Sequence, residues 1–150
     1  MKIYIGADHR GFTFKEKIIS ILESLNYDVD DLGTYDETTP CDYPKVSYQV
    51  ATKVAKIKNS RGILVCMSGI GQSIAANKVK GAYAALCYNA EAAQLSRQHN
   101  NANILVLSSK FIKPEDLRNI IKIWLETKFE GGRHLRRVNQ IKKIENGIKI

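Results

Sequence analysis

Short apolar runs suited to strands alternate with segments of helical period along the whole chain, and this alternation constrains the fold more than any other feature. Strands are expected at Lys2–Gly6, Val29–Leu32, Ile63–Cys66, Ala82–Cys87 and Ile104–Leu107. Between and after them, helices are expected at Gly11–Leu25, Tyr48–Ile57, Ile70–Val79, Ala90–Gln98, Leu117–Phe129 and Arg133–Lys149, with Gly33–Pro44 a polar loop. Phe12, Phe14, Ile18, Ile19, Ile21, Leu22 and Leu25 form a broad apolar face on the first helix. Lys113-Pro114-Glu115-Asp116 is a good helix start, and Glu130-Gly131-Gly132 breaks the helix that follows it. Five strands separated by helices predict an α/β fold: a three-layer α/β/α sandwich on a five-stranded parallel, Rossmann-like sheet. The last helix has no strand to follow, so it is expected to be a C-terminal helical arm on a single 1–150 domain, with 133–150 meeting a second subunit.

In such sheets ligands bind beyond the carboxyl ends of the strands. That rule singles out Ala7–Arg10, Cys66–Ser73, the turn after Cys87 and Ser108–Lys110. Of these, Cys66-Met67-Ser68-Gly69-Ile70-Gly71-Gln72-Ser73 carries the most chemistry, because a thiol and two hydroxyls meet the start of a helix. The first amides of a helix have no internal partners and favour negative charge, so a thiol beside them is placed where its pKa can fall below its free value of about 8.5. The same residues also suit a small buried cysteine before an ordinary helix start.

Composition narrows the partner. The 150 residues are 44% hydrophobic, enough for one substantial core, and no apolar run approaches the ~20 residues of a membrane span. With no apolar leader block, the chain is expected to be a cytoplasmic protein with no membrane partner. Cys41, Cys66 and Cys87 are too widely spaced to suggest a disulfide framework or a Cys-x-x-Cys metal site, and no metal and no cofactor are expected. A net charge of +8 leaves open a phosphorylated metabolite, a nucleic acid and a merely solvated basic surface. The basic run Arg133–Ile150 has no interleaved aromatic and matches no nucleic-acid module, so nucleic acid is not expected. Gly69-Ile70-Gly71 is a poor dinucleotide fingerprint, since Ile74 stands where a third small residue belongs.

Three further constellations each have a plain structural alternative. Asp8-His9 follows the first strand at the ligand edge and suits hydroxyl or phosphate binding or proton transfer, yet Asp8 also suits a helix cap. His99-Asn100 ends a helix, where a histidine is a routine dipole contact. Arg133 and Arg137 are one helical turn apart and suit a shared anion, or a solvated face.

With Asp8-His9-x-Gly11, Asp42-Tyr43-Pro44, the Cys66 turn ending Ser73-Ile74-Ala75-Ala76-Asn77-Lys78, Leu95–Asn100 and Glu130–His134 in that order, the chain resembles type B ribose-5-phosphate isomerases over essentially its whole length. Their superfamily includes galactose-6-phosphate and allose-6-phosphate isomerases. The resemblance implies interconversion of ribose 5-phosphate and ribulose 5-phosphate through a cis-enediolate, without metal. The alternatives are a six-carbon phosphosugar isomerase or a non-catalytic phosphosugar binder. By the same resemblance Cys66 is the base and Ser68 shifts protons between the substrate oxygens. The amides of Gly69, Ile70, Gly71, Gln72 and Ser73 hold the enediolate oxygen. His99, assisted by Asp8, opens the sugar ring, Tyr43 and Asn100 line the sugar, and His9, Lys110, Arg133 and Arg137 meet the phosphate. The resemblance further implies a homodimer or tetramer with each site built from two subunits. Two positions depart from the pattern: Met67 stands where Gly is usual, and Lys110 where Arg is often found.

Overall fold

The computed structural model describes residues 1–150. Strands β1 (Lys2–Ala7), β2 (Asp28–Asp31), β3 (Ser60–Cys66), β4 (Ala84–Leu86) and β5 (Ile104–Ser108) form one all-parallel sheet in the order β2-β1-β3-β5-β4. Helices α1 (Phe12–Ser24), α2 (Tyr43–Lys56), α3 (Ile70–Ala76), α4 (Ala90–Asn100), α5 (Leu117–Glu126) and α6 (Gly132–Glu145) complete the α/β/α sandwich expected from the alternation.

Strand side chains point alternately to the two faces, and the core divides accordingly. Ile3, Ile5, Ile63, Val65, Leu105 and Leu107 pack with Phe14, Ile18 and Leu22 of α1, Ala93 of α4, and Ile120 and Trp124 of α5. On the other face Tyr4, Leu64, Ile104 and Val106 pack with Val50, Ala51 and Val54 of α2 and Ala76 of α3. From β1 the chain crosses to β2 on one side, and β3 lies on β1's other side. A topological switch point therefore opens between the carboxyl ends of β1 and β3.

Several element ends differ from expectation, each for a local reason. The second helix starts at Tyr43, not Tyr48, because Pro44 sits in its first turn, where no backbone N–H is needed. The third helix stops at Ala76, and the fourth strand shrinks to Ala84–Leu86. There the Asn77 side chain donates to the Ser73 and Ala84 carbonyls and accepts the Ala84 N–H. The fifth helix stops at Glu126 instead of reaching Phe129. The last helix ends at Glu145, short of Lys149: Gly147 takes φ +69 and the Ile148 N–H reaches back to the Lys143 carbonyl at 2.9 Å, a Schellman stop.

One polar contact ties the first helix to the sheet edge. The Lys15 side chain is fully buried and its ammonium lies 2.5 Å from Asp31 and 2.8 Å from the Thr34 carbonyl, with Phe12 and Tyr35 rings around it. Removing the amine leaves Asp31 without its counter-charge. Lys15→Met should lower the unfolding free energy in urea titrations by about 2–3 kcal/mol. The loss should fall short of the fully buried case because the Asp31 side chain keeps 27% of its exposure.

Candidate active site

Parallel pairing sets the carboxyl edge of the central strands side by side. Ala7 is level with Val65, and Cys66 with Ser108, so the turns after β1, β3 and β5 emerge together. They are then tied to one another. The Asp8 N–H donates to the Val65 carbonyl, the Ser109 hydroxyl donates to the carbonyls of Arg10 (3.1 Å) and Cys66 (3.3 Å), and the Met67 carbonyl accepts the Ser108 hydroxyl and the Lys110 N–H.

Cys66 ends β3 as a buried free thiol. Its Sγ accepts the Gly69 N–H at 3.1 Å, and the Ser68 and Gln72 amides also favour its thiolate. The amides pull this thiol down, but burial pushes it up further, Asp8 adds to the rise, and the net shift is upward. The tight turn requires Gly69, whose φ is +84; a Cβ there would meet Leu86 Cδ1 at 2.4 Å. Ser68 Oγ accepts the Ile70 N–H at 3.3 Å. Ser73 does not offer its amide, contrary to expectation, because that N–H makes the first helical bond to the Gly69 carbonyl. The amides that act on the thiol are therefore those of Gly69, Ser68 and Gln72. The Gln72 side chain is fully buried, with neither polar atom hydrogen-bonded.

Around this turn stand Tyr43, Asp8 and His9. The half-exposed Tyr43 ring lies so close over Gly71 that a Cβ there would be 2.5 Å from Cζ. Asp8 does act as a turn acceptor, taking the Gly11 N–H on Oδ1 at 2.9 Å, and burial raises its pKa. His9 accepts the Cys41 N–H on Nδ1 at 3.2 Å. On the far side, Lys110 lies with its ammonium 5.5 Å from the Phe111 ring centroid.

The remaining expected residues lie at the opposite end of the molecule. Helix α4 precedes β5, so His99 and Asn100 fall at the amino edge of the sheet, separated from Cys66 by strands about 20 Å long. Helix α6 lies along that same edge: Val138 and Lys142 share a cleft with Met1, Ser60 and Asn103, which precede or begin strands, and Glu145 accepts the Gly81 N–H. There the His99 and His134 rings stack, with centroids 4.1 Å apart and planes 7° from parallel. Burial, then the neighbouring His99 and Arg133, hold His134 below its ordinary pKa. Glu130 lies 3.5 Å from His134, so two imidazoles and a carboxylate cluster here. Parallel rings at this spacing direct their in-plane lone pairs side by side, not to a common point about 2.0–2.1 Å from both, so the cluster is poorly shaped for a metal ion. Thus a single chain gathers Asp8, His9, Tyr43, Cys66, Ser68, the Gly69–Gln72 amides and Lys110, and holds His99, Asn100, Arg133 and Arg137 apart from them.

A family described as Ribose/Galactose Isomerase matches residues 3–141. The chain belongs to that family. It is 43% identical over 144 residues to ribose-5-phosphate isomerase B of Escherichia coli, covering 96% of each chain. It is 41% identical to a putative sugar phosphate isomerase of Bacillus subtilis, covering 97% of each. Among solved structures, ribose-5-phosphate isomerase B of Mycoplasma genitalium with bound ribulose-5-phosphate superposes with a TM-score of 0.93 at 42% identity, covering 97% of this chain and 96% of that one.

Arg10 is a residue at this edge that the sequence reading left without a role. It is exposed, on the turn between Asp8 and Gly11, and its Nη1 lies 3.0 Å from Met67 Sδ. The adjacency of a cation to Asp8-His9 was the available signal.

Because the thiolate is the reactive form, the raised Cys66 thiol should be slow to alkylate at neutral pH in the isolated chain, held monomeric by dilution. Peptide mass spectrometry after iodoacetamide treatment should find Cys41, which is partly exposed, modified first and Cys87, pushed up to about 11, last. The Cys66 rate should climb about tenfold per pH unit and keep rising past pH 9.

Proposed function

We propose that this protein interconverts ribose 5-phosphate and ribulose 5-phosphate, and that two copies of the chain build each site. The observation that carries this reading is the Cys66 thiol facing the amides of Gly69 and Gln72 at a parallel-sheet switch point, in a chain of the ribose/galactose isomerase family. The bound ribulose-5-phosphate in the Mycoplasma genitalium relative adds support for a phosphosugar ligand.

In the proposed reaction the Cys66 thiolate takes the proton from C2 of the open-chain aldose, and the electron pair moves through C1 onto O1. The resulting enediolate oxygen is held by the Gly69 and Gly71 amides, donors whose loss costs about 3–4 kcal/mol in comparable oxyanion holes. The Ser68 hydroxyl passes a proton between O2 and O1, and the thiol returns its proton to C1. Tyr43 lines the sugar, while His9 and Lys110 meet the phosphate.

His99, Asn100, Arg133 and Arg137 are assigned to the site of the other subunit. The reason is geometric: at the far end of the strands they cannot reach Cys66 of their own chain. A two-fold pair that sets one chain's amino edge against the other's carboxyl edge would complete two sites at once. Exposed Leu135, Ile141, Ile144 and Ile148 on and beyond α6 supply apolar surface for such a pair. The cations delivered in this way would also draw the Cys66 thiol back down, since opposite charge favours the thiolate. Three cysteines without a disulfide suit the cytoplasm.

The test is an isomerase assay with ribose 5-phosphate, allose 6-phosphate and galactose 6-phosphate. Wild-type protein should prefer the five-carbon substrate. Cys66→Ala should lose roughly 10²–10⁴-fold in kcat, the range for a removed general base, while still binding substrate. Full activity in that variant would remove the cysteine from the mechanism. His99→Ala should also be impaired as a homo-oligomer. A purified mixed dimer of Cys66→Ala and His99→Ala chains should regain about half the wild-type rate, because one of its two sites is intact. No recovery would refute the shared site.

A further inference from the structure

Arg10 and Met67 both lie outside the roles assigned above, and they touch each other. The guanidinium of Arg10 has five donors, yet its side-chain partner is a thioether, a weak acceptor, and no carboxylate oxygen lies within 4.0 Å of it. Asp8, two residues before it, feels the charge but has one oxygen engaged by the Gly11 N–H. Lys110, on the neighbouring turn, also has no carboxylate partner.

Met67 connects the two turns that carry these cations. Its carbonyl accepts the Lys110 N–H at 3.1 Å, while its sulfur rests on Arg10, whose own carbonyl is held by Ser109. The side chain is 38% exposed at the mouth of the site. Each of the two turns thus carries a cation, and Met67 gives the Arg10 guanidinium a soft, apolar rest. A lysine ammonium is a point charge, whereas a guanidinium offers two parallel N–H bonds to the oxygens of a phosphate.

We propose that Arg10 is a phosphate-binding residue of this site and that the Met67 thioether aims its guanidinium at the terminal phosphate of the sugar. This rests on the isomerase reading and deepens it. Arg10 supplies the directional fork that Lys110 lacks, and Met67, in a position where a glycine would leave the guanidinium unsupported, holds that fork in place before substrate arrives. Preorganisation of this kind improves affinity by reducing the ordering cost of binding.

Steady-state kinetics on Arg10→Ala, Arg10→Lys, Met67→Ala and the double variant Arg10→Ala/Met67→Ala test the assignment. Arg10→Ala should raise KM for ribose 5-phosphate about tenfold or more while changing kcat less than twofold. It should weaken inorganic phosphate as a competitive inhibitor by a similar factor. Arg10→Lys should recover only part of the loss. Met67→Ala should raise KM about threefold, and that effect should vanish in the double variant, as coupling through one contact requires. KM and the phosphate inhibition constant both within twofold of wild type in Arg10→Ala would overturn the assignment, as would a fall in kcat at unchanged KM. If wild-type protein turns over none of the three sugar phosphates, the isomerase reading fails separately. Calorimetric titration of inorganic phosphate into wild type and Arg10→Ala then decides the Arg10 role: weaker binding by the variant supports it, and equal or undetectable binding in both refutes it.

Discussion

The site depends first on the parallel hydrogen bonding of β1, β3 and β5. Parallel strands deliver all their exits at one edge, and the register that sets Ala7 beside Val65 and Cys66 beside Ser108 brings three exits level. Once level, they are laced by short polar links. The Ser109 hydroxyl reaches the turns after β1 and β3, and Ser108 closes on Met67. A shift of one residue in β5 would turn Ser108 to the other face and release all of these links. The geometry around Cys66 is thus a product of sheet register before it is a product of the turn itself.

That scaffold places opposing demands on the thiol. Ending a central strand means burial, and burial favours the neutral form; sitting before a helix means amides, which favour the anion. In the isolated chain burial prevails, with Asp8 on the same side. Arg133 and Arg137, the cations that the proposed pairing of chains would bring to a neighbouring thiol, lie at the other end of the strands.

The layers, the five strands and the helices were legible because apolar periodicity reports directly on burial. Helix and strand ends were less so, since single side chains decided them: Asn77 trims α3 and β4, Pro44 opens α2 early, and Gly147 stops α6. The Cys66 turn was legible from its residue types, but its thiol pKa was not. How deeply Cys66 is buried depends on the strands and turns packed around the end of β3, Ser108 of β5 among them, which no local pattern records. The separation of His99 from Cys66 was available in principle, because a helix leading into a parallel strand must end at the amino edge. Arg10 lies in the Ala7–Arg10 loop that the strand order marks, but its contact with Met67 spans 57 residues and is not written in either neighbourhood.

The link between Cys41 and His9 reaches further than its single 3.2 Å hydrogen bond suggests. Because the backbone N–H of Cys41 occupies Nδ1 as a donor, a neutral His9 ring must carry its proton on Nε2. The loop from Gly33 to Asp42, secured at one end by the Lys15 ammonium on the Thr34 carbonyl, therefore selects the tautomer of a ring that belongs to another turn. An oxygen approaching the open side of that imidazole meets an N–H, so the ring recognises an acceptor in its uncharged form, by proton position alone.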